Sequence, residues 1–264
     1  IVNTRAIQHN LDWVWPYWVA RQFNPRDPSF VPRSFSLAHI NLTHRNWTAV
    51  CLPDCDRYAI VDPRGLVTPL HDGWSIDAWV VSPGHQLVPS QCAQARQTLL
   101  YHDGLAIETR TAADGHELEG RAEMRRDAQG QPVLHTEWKA RGAPPAQLCI
   151  ALRPYNPEGV QFIDAIEYDP ERPGWRVNGK TWVQFGEEPV RAMASTYETG
   201  DVFNRLQTRG NPQSVQCPVG MATAAALFPL GEDAAPVSVD VPLGQKDAAP
   251  PGRATVYARG GRRA

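Results

Sequence analysis

Hydrophobic and polar residues alternate along much of the chain from Gln97 onward. A period of two places one set of side chains on the buried face of a strand and the other set toward solvent. The clearest runs are LAIETRT (105–111), HELEGRAEMRRD (116–127) and PVLHTEWKARG (132–142). Turn-forming residues at 113–115 (Ala-Asp-Gly) and 128–130 (Ala-Gln-Gly) separate them, as an antiparallel meander requires.

Further runs of strand-forming residues continue this pattern. They are QLCIALRPY (147–155), VQFIDAIEYD (160–169), GWRVNGKTWVQF (174–185), VSVDVPL (237–243) and ATVYARG (254–260). Asn178-Gly179 suits a two-residue hairpin turn with positive φ, whereas MATAAALFPL (221–230) fits either a buried strand or a short helix. A dozen or more short strands without a long amphipathic helix predict an all-β fold, a large antiparallel β-sandwich in a single domain.

The first 96 residues differ from residues 97–264, which hold the main antiparallel strands. They are rich in tryptophan and proline, and Pro25, Pro28 and Pro32 exclude a helix interior. We therefore predict an extended segment that wraps over other elements. Residues 55–81 then read as short strands separated by Asp-Pro-Arg-Gly and His-Asp-Gly turns.

Composition, net charge and cysteine spacing argue against several classes of function. The 264-residue chain has a formal charge of −2, which gives no electrostatic basis for nucleic-acid binding. No apolar run approaches the ~20 residues that a membrane helix needs. Five cysteines at irregular spacing and the absence of a visible signal peptide favour a cytoplasmic location. No phosphate-binding loop or other cofactor motif is present, so no cofactor is expected.

A metal site is not predicted either. His39 and His44 precede Cys51 and Cys55, which gives H-x4-H followed by C-x3-C. This spacing departs from the usual zinc patterns, so structural histidines and buried thiols are the favoured interpretation.

Five aspartates between Asp54 and Asp77 form the one carboxylate cluster in a tryptophan-rich region, as in a glycosidase cleft. Glycoside hydrolysis needs two carboxyl groups about 5–9.5 Å apart, and sequence cannot place them. Several of these aspartates adjoin proline or glycine, where aspartate supports turns. Turn and capping roles are therefore favoured over catalysis.

The stretch WVWPYW crowds four aromatic rings into six positions. Trp13 and Trp15 would share one face of a strand, with Trp18 on the other, and bulk on both faces favours a doubly covered strand. Core or domain interface is favoured over a sugar-binding platform, although indole rings also stack on sugars. Trp74 is a further candidate for either role.

Three stretches together resemble the N-terminal region of bacterial glycogen-debranching and glucoamylase-type proteins: NLDWVWPYWV (10–19), NLTHRNWTAV (41–50) and ALRPYNPEGVQFI (151–163). The resemblance implies a β-super-sandwich that precedes an (α/α)6 catalytic domain on the same polypeptide. That domain carries the catalytic carboxylates and is expected C-terminal to this chain, in which it is absent. No catalytic residue is therefore assigned here. Arg153, Tyr155 and Asn156 could border the substrate or lock a loop.

Three hypotheses follow. The favoured one is a non-catalytic domain of a glycoside-hydrolase-like protein acting on an α-glucan or related polysaccharide, with the helical domain as its partner. The second is a stand-alone carbohydrate-binding module for an oligosaccharide or polysaccharide. The third is an autonomous glycosidase that uses the Asp54–Asp77 region.

Overall fold

Short antiparallel strands make up nearly all the regular structure. The computed structural model describes residues 47–92, 94–101, 104–157, 159–231 and 235–244. The strands are β1 Thr48–Cys51, β2 Tyr58–Val61, β3 Val67–Thr68, β4 Ser75–Ser82, β5 His85–Leu87, β6 Arg96–Tyr101, β7 Leu105–Ala113, β8 His116–Arg126, β9 Pro132–Arg141, β10 Gln147–Arg153, β11 Tyr155–Asn156, β12 Gly159–Val160, β13 Ala165–Asp169, β14 Gly174–Val177, β15 Thr181–Phe185, β16 Arg191–Ser195, β17 Val215–Gln216, β18 Thr223–Pro229 and β19 Val237–Pro242. Two short 3₁₀ helices span Pro89–Gln91 and Val202–Arg205. In this part of the chain, no helix has both the length and the apolar character to cross a bilayer.

Two large antiparallel sheets pack face to face. The first sheet has the order β1-β2-β3-β4-β10-β18-β16, with β5 paired to β4. The second sheet has the order β17-β13-β14-β15-β19-β9-β8-β7-β6, and β11 with β12 forms a small separate hairpin. The all-β sandwich predicted from the alternating pattern is therefore confirmed.

The main core lies between the two sheets. Because successive residues of a strand point to opposite faces, Ile76 and Val80 of β4 face inward, as do Leu148 and Ile150 of β10. Leu134 on β9 meets them from the second sheet. Each such fully buried side chain contributes roughly 1.5–3 kcal/mol through removal of apolar surface from water.

Close packing requires a glycine on the core-facing side of β8. A Cβ at Gly120 on β8 would lie 2.9 Å from Nε1 of Trp138, its cross-strand neighbour on β9. The alternation predicted for residues 116–127 is confirmed, since Leu118, Ala122 and Met124 on the same face as Gly120 are buried.

The tight turns follow from residues that tolerate positive φ. Asp114 (φ 51°) and Gly115 (φ 76°) join β7 to β8 as a two-residue turn. Asn178 (φ 53°) and Gly179 (φ 68°) join β14 to β15, but Lys180 extends that loop to three residues, because Val177 pairs with Thr181. The predicted hairpin is confirmed, and its predicted loop length of two is wrong by one residue.

The ambiguous run at 221–230 forms a strand rather than a helix. β18 lies between β10 and β16, so both of its faces are covered. Ala224, Ala226 and Phe228 enter the main core, and Ala225 and Leu227 pack on the other face. Its alanines favour helix intrinsically, and sheet packing overrides that preference. The predicted closing strand at 254–260 lies outside the described residues.

Candidate functional site

The face of the first sheet that points away from the core is also covered. Residues from β4, β10, β16 and β18 form a second apolar cluster there with residues near the two 3₁₀ helices, and we call it the outer cluster. Its members are Trp79, Val81, Val88, Cys149, Ala151, Met193, Val202, Leu206, Ala225 and Leu227. Phe203 closes it from outside, with its ring edge-on to Trp79 at 5.0 Å between centroids. Polar side chains on the same face can therefore be buried.

Arg153 at the end of β10 is the central polar group on this face. Its Nη1 and Nη2 donate to the two carboxylate oxygens of Asp201, each at 2.6 Å. The side chains are only 4% and 2% exposed, so both charges are removed from water. Burial alone lowers the pKa of Arg153, but the Asp201 carboxylate outweighs it and the pKa lies above its ordinary value. The guanidinium is therefore permanently charged and paired.

Asp201 has a second role in the loop that carries it. It precedes the 3₁₀ helix Val202–Arg205, and its Oδ1 accepts a hydrogen bond from the backbone N–H of Phe203 at 3.1 Å. The Val202 N–H donates to Thr223 Oγ1 on β18 at 3.1 Å. One carboxylate thus starts the covering turn and joins it to the sheet.

Two aromatic rings flank the Arg153 guanidinium. Its Cζ lies 5.2 Å from the centroid of a Trp79 ring and 5.3 Å from that of Tyr155. Arg153 Nε also donates to the Tyr155 hydroxyl at 3.2 Å. Burial raises the pKa of Tyr155 to about 12, and the nearby guanidinium opposes that rise without cancelling it. The phenol is therefore neutral, and the rings complete the enclosure of the charge.

Asp77 on β4 is the other buried carboxyl group. It is 5% exposed, and its Oδ1 accepts a hydrogen bond from the Ala78 N–H at 2.9 Å. Burial raises its pKa to about 6, while the nearby Trp79 and Arg153 side chains act in the opposite direction. The Trp79 Nε1–H lies near this carboxyl but does not meet the geometry of a hydrogen bond to any group. We call Asp77, Trp79, Arg153, Tyr155 and Asp201 the Arg153 cluster.

Asn156 continues the RPYNPEG stretch beyond this cluster. Its side chain is fully buried, and its Nδ2 donates to the carbonyl of Gly73 at 3.0 Å and to that of His71 at 3.4 Å. These bonds fasten the β11–β12 hairpin to the turn before β4. The contacts of Arg153, Tyr155 and Asn156 hold the loop in place, and a place for these residues at the border of a substrate stays a prediction.

The tryptophans predicted as binding or interface candidates fall into two groups. Trp74 is 9% exposed and packs in the main core. Trp13, Trp15 and Trp18 lie outside the described residues. Trp182 on β15 is half-buried on the outer face of the second sheet, where the guanidinium carbons of Arg172 and Arg176 lie 5.2 and 5.0 Å from its ring.

The other sequence candidates are placed as follows. Asp62 Oδ1 accepts from the N–H groups of Arg64 and Leu66, at 2.8 and 2.9 Å, which is a turn-supporting role. Asp54 has φ 56° in the turn after β1. Cys51 and Cys55 are free thiols, and His39 and His44 lie outside the described residues.

The hydrogen bonds within the Arg153 cluster limit the reactions in which its side chains can take part. Both Asp201 oxygens are bound by one guanidinium, and so neither is free to attack a substrate. Cys149 lies on the same face, but burial raises the pKa of its thiol far above the ordinary value, which opposes formation of a thiolate. Asp77 is the carboxyl group of the cluster whose pKa is raised to about 6, but it is only 5% exposed, which keeps it from a bulky substrate.

The outer face of the second sheet is charged, whereas that of the first sheet is mainly apolar. Charged side chains alternate in sign across β7, β8 and β9, for example where Arg110 contacts Glu108 at 2.8 Å and Glu119 at 2.9 Å. Arg110, Glu119 and Lys139 line a depression of about 600 Å³ there. Such a face is typical of a solvated surface.

Sequence reasoning missed Asp201 and Trp79. Asp201 follows Gly200 and precedes a short apolar run, which is a helix-start signal, but nothing local connects it to Arg153, 48 residues earlier. Trp79 stands within a strand pattern that favours burial without indicating which face.

Comparison with known proteins finds similarity in solved structures and none in sequence families. No family model and no curated protein sequence matches the chain. The solved structure of a bacterial glucoamylase complexed with acarbose is similar, with a TM-score of 0.53 and 10% sequence identity. The match covers 70% of this chain and 29% of that one, so the chain corresponds to less than a third of the enzyme. At this identity the likeness shows a shared fold: this chain has a glucoamylase-like β-sandwich.

Proposed function

We propose that this chain is the non-catalytic N-terminal β-sandwich domain of a glycoside-hydrolase-like protein. The parent protein would act on an α-glucan or a related polysaccharide, with a helical (α/α)6 catalytic domain that follows on the same polypeptide. The observation that carries the proposal is the fold shared with one part of a glucoamylase, 29% of its length. The RPYNPEG stretch, which resembles glucoamylase-type proteins, begins at the end of β10 and continues into the small β11–β12 hairpin.

The carboxyl groups of the Arg153 cluster are consistent with a supporting role. Glycoside hydrolysis needs an acid and a base or nucleophile that both reach the scissile bond. Asp201 is held by Arg153 on both oxygens, and Asp77 is almost fully enclosed. Asp62 is engaged by backbone N–H groups. These bonds stabilise the sandwich, and catalysis is assigned to the neighbouring domain.

The test compares two proteins: this 264-residue chain and the product of the full reading frame. We expect the chain alone to fold and to release no reducing sugar from soluble starch or maltooligosaccharides. We expect the longer protein to release sugar, and its sequence after Ala264 to contain helical hairpins with two acidic residues. A reading frame that ends at Ala264 would refute the part of the proposal that concerns the helical domain.

A carbohydrate-binding module is the second candidate, favoured by the half-buried Trp182. An indole at a sheet surface can stack on the apolar face of a sugar, although Arg172 and Arg176 already contact this ring. Titration of the chain with glucans, followed by tryptophan fluorescence, tests this role. Binding that is lost in Trp182→Ala would support it, and unchanged emission across a panel of polysaccharides would exclude it.

A further inference from the structure

Strand β6 forms one edge of the second sheet. It pairs with β7 through six consecutive residues, from Arg96 opposite Arg110 to Tyr101 opposite Leu105. Among the described residues no strand pairs with its other side. In an antiparallel strand, about half of the backbone N–H and C=O groups point away from the one neighbour, so β6 presents a row of them outward.

The side chains of this edge are unusually apolar. Leu99 is 42% exposed and Tyr101 is 73% exposed. Leu99 lies opposite Ile107, which is buried in the main core, so Leu99 stands on the core-facing side of the sheet. Thr48 of β1 contacts Gln97 at 3.2 Å, which marks where the first sheet reaches β6. Leu99 and Tyr101 extend the core face past that contact.

The strand also lacks the features that usually protect sheet edges. Natural edge strands carry lysines, prolines or bulges, or they are very short. Between Gln97 and Tyr101 there is no charged residue and no proline, and the β6–β7 register is continuous. Only Arg96, at the start of the strand, is charged.

The other edges of the two sheets are short or covered. β1 has four residues and β17 has two. At β16 the Ala194 N–H donates to the Pro212 carbonyl at 2.6 Å, and the Arg191 guanidinium donates to the Leu206 carbonyl at 2.9 Å. Within the part of the chain that the structure describes, β6 is therefore the longest edge that remains open.

We propose that β6 pairs antiparallel with β6 of a second copy of this chain, about a two-fold axis at Leu99. In that register Leu99 stands opposite its own counterpart, Gln97 opposite Tyr101, and Thr98 opposite Leu100. None of these pairs brings like charges together, and Arg96 lies outside them. The second sheets of the two copies then form one continuous sheet. Each exposed Leu99 is partly buried by the other copy. The proposal does not depend on the proposed function.

The surface area buried by this strand pair is small. A stable interface buries about 1,600 Å² in total, and one short strand pair buries less. The dimer is therefore concentration-dependent. We expect sedimentation velocity or light scattering to show a mass approaching twice 29.3 kDa at high concentration and the monomer mass after dilution.

Two matched variants identify the interface. Leu99→Lys places two positive charges opposite each other, and we expect it to remain monomeric from about 1 μM to about 100 μM, where the wild type associates. Val190→Lys makes the same change at an exposed residue away from β6, and it should dimerise like the wild type. Equal thermal unfolding of the diluted variants shows that both are folded.

In the mass measurements, three outcomes overturn the proposal: a wild-type monomer at every concentration, a Leu99→Lys protein that still dimerises, or equal loss of dimer in both variants. Hydrogen exchange adds an independent measurement, because the outward β6 amides should gain protection as concentration rises. Protection of these amides in the dilute monomer would mean that another segment occupies the edge, which also overturns the proposal. Sugar-release assays report on the proposed function separately.

Discussion

Asp201→Asn removes one charge from the buried ion pair and leaves the shape of the side chain almost unchanged. The amide oxygen can still accept the Phe203 N–H, so the start of the 3₁₀ helix is preserved. Arg153 then keeps its charge in a site where its side chain is 4% exposed. Loss of one partner of a buried pair costs about 3–5 kcal/mol, a large part of the 5–15 kcal/mol that stabilises a typical domain.

Urea unfolding followed by tryptophan fluorescence and circular dichroism measures this cost. The matched control is Glu167→Gln, since the Glu167–Arg176 pair is 3.7 Å apart and half-exposed, and its loss should cost less than about 1 kcal/mol. Adding Arg153→Met to Asp201→Asn removes the stranded charge and should recover part of the stability. If Asp201→Asn lowers the free energy of unfolding no more than Glu167→Gln does, the buried-pair reasoning is wrong.

Three further predictions follow from the structure. Asp77 has a pKa of about 6 in the folded protein against an ordinary value of 3.8, so the folded state holds this proton more tightly and its contribution to stability falls by about 2 kcal/mol as pH rises from 4 to 7; Asp77→Asn should flatten that part of the stability profile in urea titrations, and an unchanged slope counts against it. Gly174→Ala places a Cβ 2.4 Å from a backbone carbonyl and should lower Tm clearly, whereas Gly231→Ala, which meets open space, should not. The hydrogen bond from His135 to Asp240 at 2.6 Å raises the pKa of the imidazole, so stability is gained at acidic pH and lost as pH rises through that raised value; Asp240→Asn should lower the pKa in an NMR titration, and no change would show that the pair is not formed in solution.

The strands were predictable because their signal is local. Side-chain alternation in β7, β8 and β9 reflects one buried and one solvated face, and the second sheet has these two faces. β18 gave no such signal because alanines fill both of its faces, so its identity as a strand depended on neighbours distant in sequence. The length of the Asn178 loop likewise depended on the pairing of Val177 with Thr181.

The Arg153 cluster was only half predictable. The sequence draws attention to Arg153 and Tyr155 through their unusual setting among prolines. Their partner Asp201 is brought to them by the path of the chain from β16 to the 3₁₀ helix. Neither sequence periodicity nor a motif predicts that contact. The burial of Trp74 is similarly a consequence of packing between the two sheets. It cannot be predicted from composition.

The ion pair of Asp201 and Arg153 also decides how the outer cluster can open. A surface turn of four residues would ordinarily detach and reattach on its own, and a protease could cut it while the rest of the domain stayed folded. Here detachment of Val202–Arg205 together with Asp201 would leave the Arg153 guanidinium buried without this carboxylate. The turn is therefore expected to unfold only together with the sheet. Cleavage between residues 201 and 206 should then report on unfolding of the whole sandwich rather than on local motion.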